Sequence, residues 1–165
     1  MKRKFAIIAL CAIVIMMIGL YSCAKREPER TPNSDALTNK IASQFNELSI
    51  VVEEDKAREL FDEKNDVDFS KIENFSIRQA KDSEVGVFKL YTHANVDYVK
   101  DVVQKRVLKL QENAKNNFNV LRIANNAEVR SYGNYVYYVS HAEKDRIFKI
   151  IEEALNPSSE KKVKG

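Results

Sequence analysis

Cys23 is the residue whose type and position most clearly predict chemistry in this sequence. A basic start at residues 2–4 is followed by an uncharged, almost wholly apolar run over residues 5–20, and Cys23 stands three positions beyond that run. A secretory signal peptide has a basic start, an apolar run and a small residue just before its cleavage site. Ser22 is the small residue here. The thiolate is the nucleophilic form of cysteine, so the chemistry that Cys23 offers at this position is that of a nucleophile.

The four residues that end at Cys23 resemble the lipobox of bacterial lipoproteins. Leu20 stands three positions before the cysteine and Ser22 one before it, as in that motif, whereas Tyr21 is bulkier than its usual middle residue. The resemblance implies that residues 1–22 are a lipoprotein signal peptide and that Cys23 receives a diacylglyceryl group. It further implies a protein anchored by lipid in the cell membrane, on the extracytoplasmic face.

Two alternatives to lipidation stay open. Residues 5–24 are long enough to remain as an uncleaved anchor, since about 20 apolar residues span a bilayer. The other alternative is an ordinary secretory signal that is cut elsewhere. Under all three interpretations, the basic residues at the start place the bulk of the chain outside the cytoplasm.

Composition excludes several kinds of partner and site. The chain has 27 Lys and Arg against 24 Asp and Glu, but three of the bases lie in residues 1–22, which leaves 24 of each sign beyond the signal. A balanced charge does not favour nucleic acid as a partner. Cys11 and Cys23 are the only cysteines, and both belong to the export segment. Disulfides, cysteine–zinc sites and thiol catalysis are therefore excluded from the folded part, and no cofactor is predicted.

The two histidines have an ordinary structural explanation. His93 and His141 each stand where a predicted strand passes into a predicted helix. Imidazole commonly serves as a turn or cap residue at such junctions. No spacing of serine, histidine and carboxylate in the chain is typical of a nucleophilic triad, so no catalytic residue is predicted.

An acidic cluster is a weak candidate for metal binding. Asp62, Asp66 and Asp68 could ligate Ca²⁺ through oxygen. The glycine and the distal glutamate of an EF-hand loop are missing, however, and Lys64 stands among the acids. A solvated acidic turn is therefore favoured, and no metal site is predicted.

A tyrosine-rich hairpin is the strongest candidate for binding. Gly133 and Asn134 form a two-residue turn that predicts the pairs Tyr132–Tyr135, Ser131–Val136, Arg130–Tyr137 and Val129–Tyr138. Alternation then places one set on the core face: Val129, Ser131, Val136 and Tyr138. The other set is the candidate binding face: Arg130, Tyr132, Tyr135 and Tyr137. If helices cover only the first face, this second face presents aromatic rings and a guanidinium to sugars, peptides or a partner protein. Truncating Tyr135 and Tyr137 would then leave folding intact. The alternative is that tyrosine is simply a good strand former.

The elements that position these residues follow from hydrophobic period and turn chemistry. Residues 23–34 are predicted to be the lipidated N-terminus and a flexible tether, residues 35–157 a single domain, and residues 158–165 a disordered tail. A first helix follows a Ser34/Asp35 cap, and a short second helix is predicted over residues 53–64. Strands are predicted at residues 75–80, 84–91, 127–132 and 135–140. A long helix begins at Val96, and a last helix opens on a capping box at residues 140–143.

The order ααββαββα indicates an α+β fold. We expect an antiparallel sheet made of two β-hairpins, with the helices on one face.

These features together resemble the domain of unknown function (DUF) 4358 family, small exported proteins of clostridia and their relatives that are mostly lipoproteins. The resemblance covers about residues 35–156 in pattern more than in identity. It rests on the lipobox, the hairpin ending in residues 87–89, the long helix with Lys105, Arg106 and Gln111, and the Gly-Asn-Tyr-Val turn at residues 133–136. The family supplies no catalytic residues. Some members are encoded beside membrane O-acyltransferases.

A non-enzymatic accessory or binding lipoprotein of the cell envelope is therefore the expected function. The expected partners are the membrane, through the lipid anchor, and an envelope protein or glycan. The alternative is an envelope-modifying hydrolase or transferase, or an accessory to a membrane O-acyltransferase system. Oligomeric state cannot be predicted from these residues.

Overall fold

A computed structural model describes residues 31–61 and 67–157. The described residues from Pro32 onward belong to one compact unit. Its helices are α1 (Ser34–Ala42), α2 (Glu54–Phe61), α3 (Val96–Asn113), α4 (Phe118–Asn125) and α5 (Lys144–Leu155). Its strands are β1 (Ile50–Val51), β2 (Ile72–Gln79), β3 (Glu84–Leu90), β4 (Glu128–Tyr132) and β5 (Tyr135–Ser140). The predicted signal peptide, Cys23 and the predicted tail lie outside the described residues.

The five strands of the described part form one antiparallel sheet in the order β1-β2-β3-β5-β4. The two predicted hairpins, β2–β3 and β4–β5, are joined side by side through β3 and β5. The predicted α+β class is confirmed. Two elements were not predicted, β1 and α4. β1 has only two residues, which is too short to give a periodic signal, and α4 has eight.

The predicted register of the β4–β5 hairpin is confirmed. Tyr132 pairs with Tyr135, and the pairs behind it are Ser131–Val136, Arg130–Tyr137 and Val129–Tyr138. Gly133 has a φ of +55°, the left-handed conformation that this turn requires and that glycine adopts without a steric cost.

The prediction that helices lie on one face is wrong, because helices pack on both faces of the sheet. On the first face, α1 and α5 cover Val85, Val87, Tyr135, Tyr137 and Val139. On the second face, α2 and α3 cover Ile77, Phe88, Val136 and Tyr138. All six residues of β5 are buried, so this central strand is sandwiched between two helical layers.

Two helix starts differ from the predicted caps. The side chain of Asn33, one residue before the predicted cap, accepts a 2.7 Å hydrogen bond from the Ala36 N–H and caps α1. The predicted capping box does not form at α5, because Ser140 belongs to β5 and the Glu143 N–H donates to His141 instead. None of the helices in residues 31–61 and 67–157 has the length and apolar composition of a membrane span.

Candidate functional site

The predicted binding face does not reach solvent as a unit. Tyr135 is 2% exposed and Tyr137 is 1% exposed, because α1 and α5 cover this side of the sheet. The Tyr135 hydroxyl donates a 2.5 Å hydrogen bond to the Pro32 carbonyl, and the Tyr137 ring packs 5.9 Å from the Phe148 ring. Burial raises the pKa of Tyr137 to about 12. The prediction of an exposed tyrosine face is therefore wrong for these two residues.

The Arg130 side chain contacts other residues of the domain. Its guanidinium lies 3.9 Å from the Phe148 ring centroid and pairs with Glu128 at 2.7 Å and Glu152 at 3.0 Å. The hydrogen bond from Arg130, with a second one from Lys144, holds the pKa of Glu128 below its usual value. Arg130 therefore helps to hold α5 against the sheet.

Tyr132 is the one tyrosine of the predicted face that remains exposed, at 43%. It lies at the end of the sheet where β3 stops and the β4–β5 turn begins, which we call the Gly133 end. Tyr91, which directly follows β3, is 62% exposed at the same end. His93 is exposed there too, and its Nδ1 lies 2.7 Å from the Gly133 carbonyl oxygen. Because a carbonyl only accepts, Nδ1 carries a proton in this contact.

His141 is buried, and both of its ring nitrogens have partners. The Glu143 N–H donates to Nδ1 at 3.0 Å, so that nitrogen is unprotonated in this contact. Nε2 lies 3.1 Å from a Glu47 carboxylate oxygen and donates to it. The ring also contacts Phe45 edge-on at 5.2 Å. His141 is therefore a structural residue in the connection from β5 to α5, as predicted for a histidine at a strand-to-helix junction.

The acidic cluster is described only in part, since Asp62 and Asp66 lie outside the described residues. Asp68 accepts hydrogen bonds from Ser70 and Lys71, and the bond from Lys71 is the main cause that lowers the pKa of Asp68 to about 2. Among the described residues, no three His, Cys, Asp or Glu side chains are close enough together to hold a metal ion.

A buried polar network on the second face of the sheet was not predicted from the sequence. Arg106 of α3 donates to both carboxylate oxygens of Glu84, through Nε at 2.9 Å and Nη2 at 2.6 Å. The Tyr138 hydroxyl donates to Oε1 of Glu84, and Gln79 donates to Oε2 at 2.6 Å. The carboxylate thus accepts four hydrogen bonds, as many as its lone pairs allow. Burial, with Glu84 as a second cause, raises the pKa of Tyr138 well above its usual value.

The sequence did contain a signal for this network. Arg106 stands four residues after Val102 and three after Val103, which places it on the buried stripe of α3. A charged side chain on an apolar stripe predicts a buried partner of opposite charge, because an unpaired buried charge is very costly. Which acid pairs with it could not be predicted, since Glu84 is 22 residues away in the chain.

A cavity of about 280 Å³ lies beside this network, at the opposite end of the sheet from Gly133. Glu84 and Arg106 contribute to its lining. Its other walls are the polar β2–β3 turn and an apolar side formed by α3 and α4, including Lys81, Asp82, Ser83, Leu110, Val120 and Ala124. An apolar wall with a few convergent polar groups is typical of sites for small ligands. This cavity is one candidate ligand site among the described residues, and it is distinguished from larger pockets by its place beside the Glu84 network.

No family model matches the chain, and comparisons with curated proteins and with solved structures found no match either. The resemblance to the domain of unknown function (DUF) 4358 family stays a prediction.

Proposed function

We propose that this chain is an exported lipoprotein whose α+β domain is held by lipid at the outer face of the cell membrane and binds a component of the envelope there. The observation that carries the proposal is the position of Cys23. It follows a basic and apolar signal directly, and it precedes Pro32, the first residue of the compact unit, by only nine positions. This is the arrangement expected of a domain that is tethered close to a membrane.

The chemistry of the anchor supports stable attachment. Each buried methylene contributes about 0.8 kcal/mol, and two acyl chains hold a protein on a bilayer where one chain gives only reversible binding. A diacylglyceryl group on Cys23 provides two chains.

Glu84 and His141, two buried polar side chains of the domain, already have hydrogen-bond partners, which supports binding rather than catalysis. Glu84, the buried acid beside the cavity, already accepts four hydrogen bonds from Arg106, Tyr138 and Gln79. A general base needs a free lone pair directed at its substrate. His141 likewise has partners on both ring nitrogens. The Glu84 network therefore serves best as a rigid wall of the cavity.

Metabolic labelling with a palmitate analogue tests the lipid anchor. We expect the wild-type protein to carry the label and Cys23→Ser to lose it and to accumulate as uncut precursor, because a serine hydroxyl is a poor nucleophile at neutral pH. Cys11→Ser is the matched control, since it removes the other cysteine of the export segment, and it should keep the label. A wild-type protein without label would refute the lipoprotein assignment.

Binding at the cavity is tested by adding soluble envelope fragments, muropeptides and glycan chains separately, to isotopically labelled protein. We expect one class to shift the backbone amide signals of Ser83 and Asn113, which line the cavity. Ser83→Trp should abolish these shifts by filling the space, whereas Lys100→Trp on the outer side of α3 should not. Amide signals that stay unchanged with both classes would contradict a small envelope ligand at this site.

A further inference from the structure

The place where the chain enters the folded unit is set by hydrogen bonds at the Gly133 end of the sheet. The Tyr135 hydroxyl, on the first residue of β5, donates to the Pro32 carbonyl at 2.5 Å. Ser34 then donates twice to Asn74, near the start of β2, from its N–H at 2.8 Å and from its hydroxyl at 3.2 Å. The first residue of β5 and the first residues of β2 lie at the same end of an antiparallel sheet as the β4–β5 turn. The chain from Cys23 therefore arrives at the Gly133 end.

The chain between the anchor and this entry point is short. Residues 24–31 separate Cys23 from Pro32, and the nine Cα–Cα steps between these two residues span at most about 32 Å when fully extended. The 18 residues of α3 alone are about 27 Å long, and α3 runs from the Gly133 end toward Glu84. To bring the opposite end to the bilayer, the connecting residues would have to be almost fully extended. A chain anchored at Cys23 would therefore hold the Gly133 end nearer to the bilayer than the opposite end.

The side chains exposed at this end suit the interface of a bilayer. Tyr91 and Tyr132 flank β5 from the ends of β3 and β4, two strand spacings or about 10 Å apart. Tyrosine is enriched where hydrocarbon meets headgroups, because its ring is apolar and its hydroxyl is polar. Single exposed aromatic residues are common on proteins. Here two of them occur together at the end to which the tether leads.

Two pairs of opposite charge lie beside these tyrosines. Lys71 lies 2.7 Å from Asp68, and Lys89 lies 2.7 Å from Glu73. Neither pair adds net charge to this end, and the acids in the first turns of α1 and α3 add negative charge there. An attraction that depended on anionic lipid is therefore not expected, whereas contact through the tyrosine rings is expected on neutral phospholipid as well.

We propose that the Gly133 end, through Tyr91 and Tyr132, docks on the phospholipid bilayer that holds the Cys23 anchor. The cavity beside Glu84 then faces away from the membrane. This inference rests on the proposed lipid-anchored function and adds to it the orientation of the domain.

The absence of tryptophan from the chain makes the docking measurable. A chain that begins at Cys23 has one cysteine, which can be coupled to a maleimide-bearing phospholipid in phosphatidylcholine vesicles. Tyr91→Trp and Tyr132→Trp each introduce one fluorophore at the Gly133 end. Phe118→Trp is the matched control, because Phe118 is 81% exposed at the start of α4, which follows the end of α3 at the opposite end of the sheet.

Lipids brominated in their acyl chains serve as the quencher. We expect the emission of Tyr91→Trp and Tyr132→Trp to shift to the blue and to lose intensity in brominated vesicles, with the emission of Phe118→Trp unchanged. Equal quenching of all three variants would mean that no end is preferred, and quenching of none would mean that the domain does not touch lipid. Either result overturns the docking.

The result is separable from that of the proposed function, because the coupling at Cys23 is chemical. A protein without label in cells refutes the natural lipid anchor, whatever the vesicles show. Quenching confined to the two variants at the Gly133 end supports the docking surface in its own right.

Discussion

At the scale of single residues, the pairing of Glu84 with Arg106 shows how a buried charge is tolerated. Both side chains are almost fully buried, and two hydrogen bonds join them. Replacing a buried ion pair by apolar residues is often neutral, but removing one partner leaves the other charge buried without compensation. For Arg106, burial acts against the charge. The hydrogen bond that the guanidinium donates to Glu84, together with the charges of Glu84 and Tyr138, outweighs burial and raises the pKa of Arg106.

Arg106→Ala should lower the free energy of unfolding by about 3–5 kcal/mol, because it leaves the Glu84 carboxylate buried and unpaired. Urea denaturation followed by circular dichroism measures this. Lys105→Ala, at the exposed neighbouring position of α3, should change stability by less than about 0.5 kcal/mol. Equal losses in the two variants would show that the pair is not buried in solution.

The phenol of Tyr137, a residue that is only 1% exposed, should make stability fall at high pH. Burial favours the neutral phenol and raises its pKa to about 12, so the native state holds this proton more tightly than the unfolded state, in which tyrosine titrates near 10. This contribution is fully present below pH 10 and is lost as pH rises from about 10 toward 12. Urea midpoints measured from pH 9 to pH 12 should therefore fall more steeply for the wild type than for Tyr137→Phe. Parallel curves would contradict the assignment.

At the scale of elements, the strand register of the β4–β5 hairpin and the burial of its two faces have different causes. Its pairing follows from the two-residue turn alone, whereas the burial of its faces depends on which helices pack there. Because α1 and α5 cover the first face of β5 and α3 covers the second, the strand lies between two cores. The tyrosines at positions 135 and 137 are core residues for this reason.

Truncating the two buried tyrosines should unfold much of the protein, contrary to the expectation from the sequence. Each large-to-small change in a core costs about 3–5 kcal/mol, so Tyr135→Ala with Tyr137→Ala approaches the whole stability of a small domain. Tyr132→Ala, on the same hairpin but 43% exposed, should change stability little. The melting temperatures of the double variant and of Tyr132→Ala measure the difference. A double variant as stable as Tyr132→Ala would show that the first face is open.

The apolar stripe of α5 gives a second comparison. Ile150→Asp should lower the free energy of unfolding by about 3 kcal/mol or more, because Ile150 is buried against the sheet and the new charge has no partner. Lys149→Glu lies on the exposed side of the same helix, near Glu153, and two acids four residues apart cost at most about 0.5 kcal/mol. Equal shifts in melting temperature would show that α5 is rotated about its axis.

At the scale of the whole molecule, the two ends of the sheet differ in character. The Gly133 end binds Pro32, the first residue of the compact unit, and carries Tyr91 and Tyr132, whereas the opposite end holds the Glu84 network and the cavity. Under the proposed lipid anchoring, the candidate ligand site lies at the end of the domain that faces away from the membrane.

The first residues of the folded unit should contribute to the stability of the whole. A chain that begins at Asp35, the predicted start of the domain, loses the Asn33 cap and the hydrogen bonds of Pro32 and Ser34. Compared with a chain that begins at Thr31, it should be less stable by about 2–4 kcal/mol. Asn33→Ala in the longer chain should cost about 1 kcal/mol, which isolates the cap. Equal urea midpoints for the two chains would show that Asp35 is the true boundary.

The sequence by itself determined the features that depend on neighbouring residues. The α+β class, the two hairpins and the pairing of Tyr132 with Tyr135 follow from local period and turn chemistry, because a turn of known type sets the register of the strands it joins. The predicted signal peptide is likewise a local pattern, and both export and lipidation stay predictions.

Only the tertiary structure decided which surfaces are buried and which distant residues meet. Alternation indicates one buried face when a strand is half-exposed, but a strand covered on both sides is apolar throughout, and tyrosine fits either situation. The burial of Tyr135 and Tyr137 therefore depended on two helices outside the hairpin. These are α1, about 100 residues earlier in the chain, and α5, which follows β5. The pairing of Glu84 with Arg106 and the cavity beside it arise in the same way, since they exist only once α3 crosses the sheet.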